Sequence, residues 1–149
     1  MHLNIIIAAC MLVVTTAIHA GGMVLVRQVF DWKKDRSINR LTRIYLVSGI
    51  VVMMFLVSVL EVLVWAITYL ALNAIEGFER ALYFSMVTFT TLGYGEIVLE
   101  EQWRLLASFE AANGIIMFGW STAIVIAIVQ RVYFGEGQKT VKEPKMNNN

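Results

Sequence analysis

The sequence predicts an all-α membrane protein with three transmembrane helices and, between the second and third, a short re-entrant helix followed by a loop. Three observations predict it. The 149-residue chain is 58% hydrophobic and only 15% charged, and its mean hydropathy of +0.69 lies well above that of soluble domains. Apolar runs near 3–26, 44–72 and 104–130 each exceed the roughly 20 residues that carry a helix across a hydrocarbon core of about 30 Å. Basic residues are also unevenly placed: ten lie in 27–43 or beyond 130, against only Arg80 and Arg104 elsewhere. The net charge of +1 gives no general attraction to nucleic acid, and none is expected as a partner. A single cysteine, Cys10, excludes a disulfide within one chain and reads as a small apolar residue. With two histidines, that one cysteine and no clustered ligands or nucleophile, neither enzyme chemistry nor a cofactor is expected.

Residues 1–27 are read as the N-terminal transmembrane helix. A cleaved signal peptide is the alternative, because Ala17-Ile18-His19-Ala20 before Gly21-Gly22 faintly resembles a cleavage site. Against it, no basic residue precedes the run and the apolar stretch continues past Gly22. His19 is expected to be hydrogen-bonded inside a bundle, and the two glycines allow a close helix approach or a bend. Residues 28–43 form a basic loop, cytoplasmic by the positive-inside rule, with Phe30 and Trp32 at headgroup level. The outer helix, 44–72, is long enough to tilt or to extend past the bilayer. It carries Glu61 near mid-membrane, where a lone charge costs about 2.5–3.5 kcal/mol, so Glu61 should face protein or water. Trp65 and Thr68 share its helical face. A structural hydrogen bond to His19, Glu110 or Asn113 is the leading reading for Glu61, and sensing of pH or ions is the alternative.

Residues 77–89 suit a helix too short to span, and so re-entrant. Glu76 and Glu79 near its start suit the positive end of a helix dipole, and its uncapped carbonyl end should favour a cation at mid-membrane. The loop 90–96 follows, as Thr90-Thr91-Leu92-Gly93-Tyr94-Gly95-Glu96. Glycines at alternate positions let a backbone alternate between left- and right-handed conformations, which turns successive carbonyls toward one axis. The carbonyls of Thr91, Leu92, Gly93 and Tyr94, bounded by Gly95, could then replace the water around a cation. The Thr91 hydroxyl would add a further ring of ligands beneath them.

Thr-Thr-Leu-Gly-Tyr-Gly-Glu resembles the potassium-channel signature, with Leu92 and Glu96 where that family usually has Val and Asp. The resemblance covers about 44–132, the pore domain, and adds one helix before the family's simplest two-helix design. It implies a homotetramer around a carbonyl-lined selectivity filter, with K+ as permeant ion held by Thr91, Leu92, Gly93 and Tyr94. Tyr83, Phe84, Thr90 and Glu96 are implied as filter support, the two aromatics packing around Tyr94 and the acid bonding to the short helix. Glu96, Glu100 and Glu101 make the mouth acidic, which raises the local cation concentration.

The inner helix, 104–130, resembles the family's pore-lining helix, with Gly114 either at the gating hinge or at a helix contact. Ile115, Phe118, Thr122 and Ile126 form a stripe that would line the cavity and gate, although their spacing suits any packed face. Glu110 should sit behind the filter, with Asn113 beside it. Residues 133–149 are polar and too few for a core, so a disordered cytoplasmic tail is expected. The charge asymmetry places the N-terminus outside and the C-terminus in the cytoplasm of a plasma (inner) membrane, with lipid around a peripheral first helix. The function expected is passive, potassium-selective conduction. Leu92 and Glu96 keep open a non-selective cation channel or a non-conducting pore-fold assembly or accessory subunit. The sequence carries no arginine-repeat helix, so the gating stimulus stays unassigned.

Overall fold

In hydrocarbon a backbone must satisfy its own polar groups, so long apolar runs without proline fold as helices. In the computed structural model, which describes residues 2–33 and 39–134, the order is α1 (His2–Lys33), α2 (Arg40–Ala71), α3 (Phe78–Phe89) and α4 (Arg104–Phe134). A single 3-10 turn, Glu101–Trp103, leads into α4, and no strand occurs among the described residues. Three helices are long and apolar enough to cross a membrane, His2–Gln28, Arg40–Ala71 and the continuous Glu101–Tyr133. The chain is therefore a multi-pass membrane protein.

Most of the stretch read as a basic loop is helical, because α1 continues to Lys33 and α2 begins at Arg40. Hydropathy marks where the lipid ends, whereas Arg, Lys and Gln are themselves strong helix formers and carry the helices onward. Residues 34–38 and 135–149 lie outside the described residues, and with them nearly all of the expected disordered tail.

Helix α1 is apolar all round, so polarity rather than hydrophobicity identifies its protein-facing side. Asn4, Ala8, Met11, Thr15, His19 and Val26 are buried at helical spacing, while Leu3, Ile6, Val13 and Leu25 are exposed. Gly22 continues the buried stripe, and a Cβ built there would lie 2.5 Å from Val57 Cγ2, so glycine is what brings α1 and α2 together at this point. The first helix is not merely peripheral. Asn113 of α4 donates a 2.9 Å hydrogen bond from Nδ2 to Thr15 Oγ1, and Asn4 Nδ2 donates to the Gln102 carbonyl ahead of α4.

Two apolar clusters hold the helices. The larger gathers Trp65, Tyr69, Ala81, Phe84, Phe89, Leu106 and Met117 around α3. The smaller, of Val26, Leu46, Ile50 and Met54, lies at the basic end, against Ile124 and Ile128 of α4. There Arg43 of α2 donates 3.1 Å to the Val132 carbonyl.

Candidate functional site

The loop is set by how α3 starts and stops. Gly77 precedes the helix at φ 87° and ψ 131°, a conformation that side chains disfavour. At the other end Thr91 takes φ 60°, and its amide donates 2.9 Å to the Thr88 carbonyl while the Leu92 amide donates 2.9 Å to that of Val87. These two bonds make a Schellman cap with threonine in the left-handed place that glycine usually takes. Thr90 Oγ1 adds a 2.7 Å bond to the Met86 carbonyl. The expected uncapped carbonyl end is thus corrected. The carbonyls of Met86, Val87 and Thr88 are all satisfied, which weakens a simple dipole argument for a cation there.

Beyond the cap, φ is positive at Thr91 (60°), Gly93 (57°) and Gly95 (83°), and not at Leu92 or Tyr94 between them. Residues 90–96 are exposed, with Leu92 at 55% and Tyr94 at 64%. The Gly93 amide turns back toward the Val87 carbonyl at 3.3 Å, yet among the described residues no hydrogen bond is donated to a carbonyl of Thr91 through Gly95. The loop thus presents consecutive carbonyls, unbonded among the described residues, on a backbone whose handedness alternates.

Glu96 closes the loop onto α3 by accepting a 2.6 Å bond from the Tyr83 hydroxyl. That bond raises the Tyr83 phenol above the usual tyrosine range, mainly by favouring its protonated form. Tyr83, Phe84 and Tyr94 line one cavity of about 190 Å³ between α3, the loop and the start of α4. The ring pairing differs from the expectation, because Phe84 stands edge-on to Tyr69 of α2 at 5.2 Å.

Beneath the loop, α4 passes the end of α3 at Gly114. A Cβ there would lie 2.8 Å from the Phe89 carbonyl carbon and closer still to its oxygen. Gly114 is therefore a point of backbone contact, whatever else it does. One turn on, the Phe118 ring meets Phe89 edge-on at 5.6 Å. Ile115, Phe118, Thr122 and Ile126 are all exposed, on the side of α4 away from Glu110, Asn113 and Met117.

The polar residues expected to couple inside the bundle do not form one cluster. Glu61 accepts from or donates to His19 Nδ1 at 2.9 Å, both side chains wholly buried, and His19 Nε2 lies 3.2 Å from Ser121 Oγ. Trp120 packs against the imidazole at 5.1 Å. Glu110 bonds instead to the Tyr69 hydroxyl at 2.6 Å and to Ser85 Oγ at 2.5 Å, tying α2, α3 and α4 together. Ser85 Oγ also lies 2.9 Å from the Val62 carbonyl, so it faces two acceptors with one proton unless Glu110 supplies another. Asn113 turns to Thr15 rather than to Glu110. Tyr69, Ser85, Thr15 and Ser121 carry no motif that marks them in the sequence, although Tyr69 continues the Glu61–Trp65 spacing of four. Among the described residues no group of three or more His, Cys, Asp or Glu side chains could hold a metal ion.

A sequence family described as ion channel matches residues 41–131, well over half of the chain. No curated protein and no solved structure matches it.

Proposed function

The chain belongs to this ion-channel family, and from that membership we propose that it is a potassium-selective channel in which four copies surround one axis. In this reading α3 is the re-entrant pore helix, residues 90–96 are the filter, and α4 lines the inner cavity. The observation that carries the reading is the alternation of φ along Thr91-Leu92-Gly93-Tyr94-Gly95, with carbonyls that no donor among the described residues occupies. Such carbonyls can substitute for the hydration shell of a cation, and one strand of them supplies only one side of its coordination. The exposure of Leu92, Tyr94 and the stripe Ile115, Phe118, Thr122 and Ile126 in a single chain fits surfaces that neighbouring copies and an aqueous cavity would meet. The basic ends of α1, α2 and α4 then lie in the cytoplasm.

A second reading, a less selective or non-conducting assembly, draws on Leu92 and Glu96. The Tyr83–Glu96 bond favours the first, since it holds the loop to the helix that precedes it. Flux of potassium against sodium into liposomes containing the purified chain, with barium as a potassium-sized blocker, separates them. Barium-sensitive flux favouring potassium is expected. Equal flux of the two ions would overturn selectivity, and no flux from a demonstrated tetramer at any pH would favour the non-conducting assembly.

A further inference from the structure

At the basic end of the bundle, α1 and α4 flank a groove of about 420 Å³ with apolar walls that include Met23 and Val26 on one side and Ile124 and Ile128 on the other. Arg27 of α1 and Arg131 of α4 line the same groove, and both are exposed. We propose that it binds one anionic phospholipid, with the phosphate between the two guanidiniums and an acyl chain along the apolar walls.

Order along the helices carries the argument. Both α1 and α4 run toward the basic end, and both read apolar first and arginine last, as Met23, Val26, Arg27 and as Ile124, Ile128, Arg131. At 1.5 Å per residue the two wall segments span about 6 and about 10 Å. The groove is therefore amphipathic along its length, apolar toward the bilayer and cationic toward its surface, as a phospholipid is. Ala127 leaves room in the wall that a larger residue would fill. A guanidinium presents several donors in a planar fork and can engage a phosphate in two-pronged fashion alongside other partners. The adjoining stretch of sequence has the right sign, since residues 27–43 hold six basic residues against Asp31 and Asp35. A basic recess between transmembrane helices is where an anionic headgroup gains most. The cavity near the loop lacks this design, for an acid, Glu96, lines it together with Arg104. The inference rests on the chain crossing a membrane, and not on conduction or ion selectivity.

The test is native mass spectrometry of the full, delipidated chain titrated with phosphatidylglycerol or phosphatidylcholine of the same acyl composition. Phosphatidylglycerol is expected to be retained in preference, one per chain. In R27Q/R131Q its affinity should fall about thirtyfold, from the loss of two cations near an anionic headgroup. Ala127→Trp, which keeps both arginines, should also lower retention, and soluble glycerol phosphate should not displace the lipid. Equal retention of the two lipids, or unchanged retention in R27Q/R131Q of native helicity, would overturn the proposal. So would full retention in Ala127→Trp with displacement by glycerol phosphate, which would leave phosphate adsorption without a groove. A changed oligomeric state in Ala127→Trp with lipid retention intact would assign the groove to a second copy.

Discussion

The loop at 91–95 and the buried bonds of His19, Glu61 and Glu110 handle polar groups in an apolar protein in opposite ways. Each buried side chain finds its partner on another helix of the same chain, and these bonds link all four helices. The loop carbonyls find none among the described residues, and the residues bearing them are exposed. Polar groups that one chain satisfies internally act as scaffold. Groups held outward by an unusual backbone have to be met from outside the chain, which in our proposal means by a cation and by neighbouring copies. The scaffold itself is not fully closed, since Glu61 Oε2, Trp65 Nε1 and Asn113 Oδ1 are buried without a partner among the described residues.

Two glycines sharpen that comparison because they are needed for different reasons. A Cβ on Gly93 has room, its nearest neighbour being the Thr91 oxygen at 4.0 Å, but φ of 57° penalises any side chain by roughly 1–2 kcal/mol in each copy. Gly93→Ala should therefore abolish barium-sensitive potassium flux while size-exclusion shows assembly unchanged. Wild-type flux in that variant would sink the filter assignment. At Gly114 the backbone is helical and the obstacle is space. Gly114→Ala should lower thermal stability in detergent, by about 1–3 kcal/mol or more for overpacking against a backbone. Gly119→Ala meets nothing within 4 Å and should be neutral or slightly stabilising, by up to about 1 kcal/mol of helix propensity. Equal melting of the two variants would refute the close approach of α3 and α4.

The same contrast explains what could be read without coordinates. Alternating handedness is a local property, and Gly93 and Gly95 announce it within three residues. The spanning runs are legible because lipid imposes composition on every residue that faces it. Partner identity is different. His19 and Glu61 are 42 residues apart and Asn113 and Thr15 are 98 apart, and several polar residues could have filled either role. Part of this was still readable: in a helix apolar all round, Asn4, Thr15, His19 and Gly22 recur at helical spacing and mark its protein side. Helix ends are not legible in this way because hydropathy locates the bilayer and not the hydrogen-bond ladder. The cap of α3 is hidden from the sequence because threonine rarely takes the left-handed position that Thr91 occupies.

If the buried pairs are scaffold, removing half of one should cost more than replacing it with a neutral isostere. Glu61→Ala leaves the buried His19 Nδ1 without its partner, and a buried polar group so stranded costs about 1–3 kcal/mol, with the cavity left by the side chain adding to it. Glu61→Gln keeps a neutral hydrogen bond to Nδ1 and should cost nearer 1 kcal/mol. Unfolding in detergent at neutral pH measures both. Similar losses in the two variants would mean that the His19–Glu61 bond adds nothing beyond packing.

The smallest effect is expected where loop and scaffold meet. Tyr83 and Glu96 are both exposed, so Tyr83→Phe should leave the melting temperature unchanged. It should instead lower the potassium-to-sodium flux ratio, by less than about tenfold, the scale of one hydrogen bond. Because the bond raises the phenol's pKa in the folded chain, it is intact below the ordinary tyrosine range and is lost only as pH climbs through the raised value. The wild-type flux ratio should accordingly stay flat between about pH 6 and pH 9 as far as Tyr83 is concerned. A flux ratio in Tyr83→Phe equal to that of wild type would show that the loop holds its shape from its own torsions and its neighbours alone. Glu96 would then act only as a charge at the mouth.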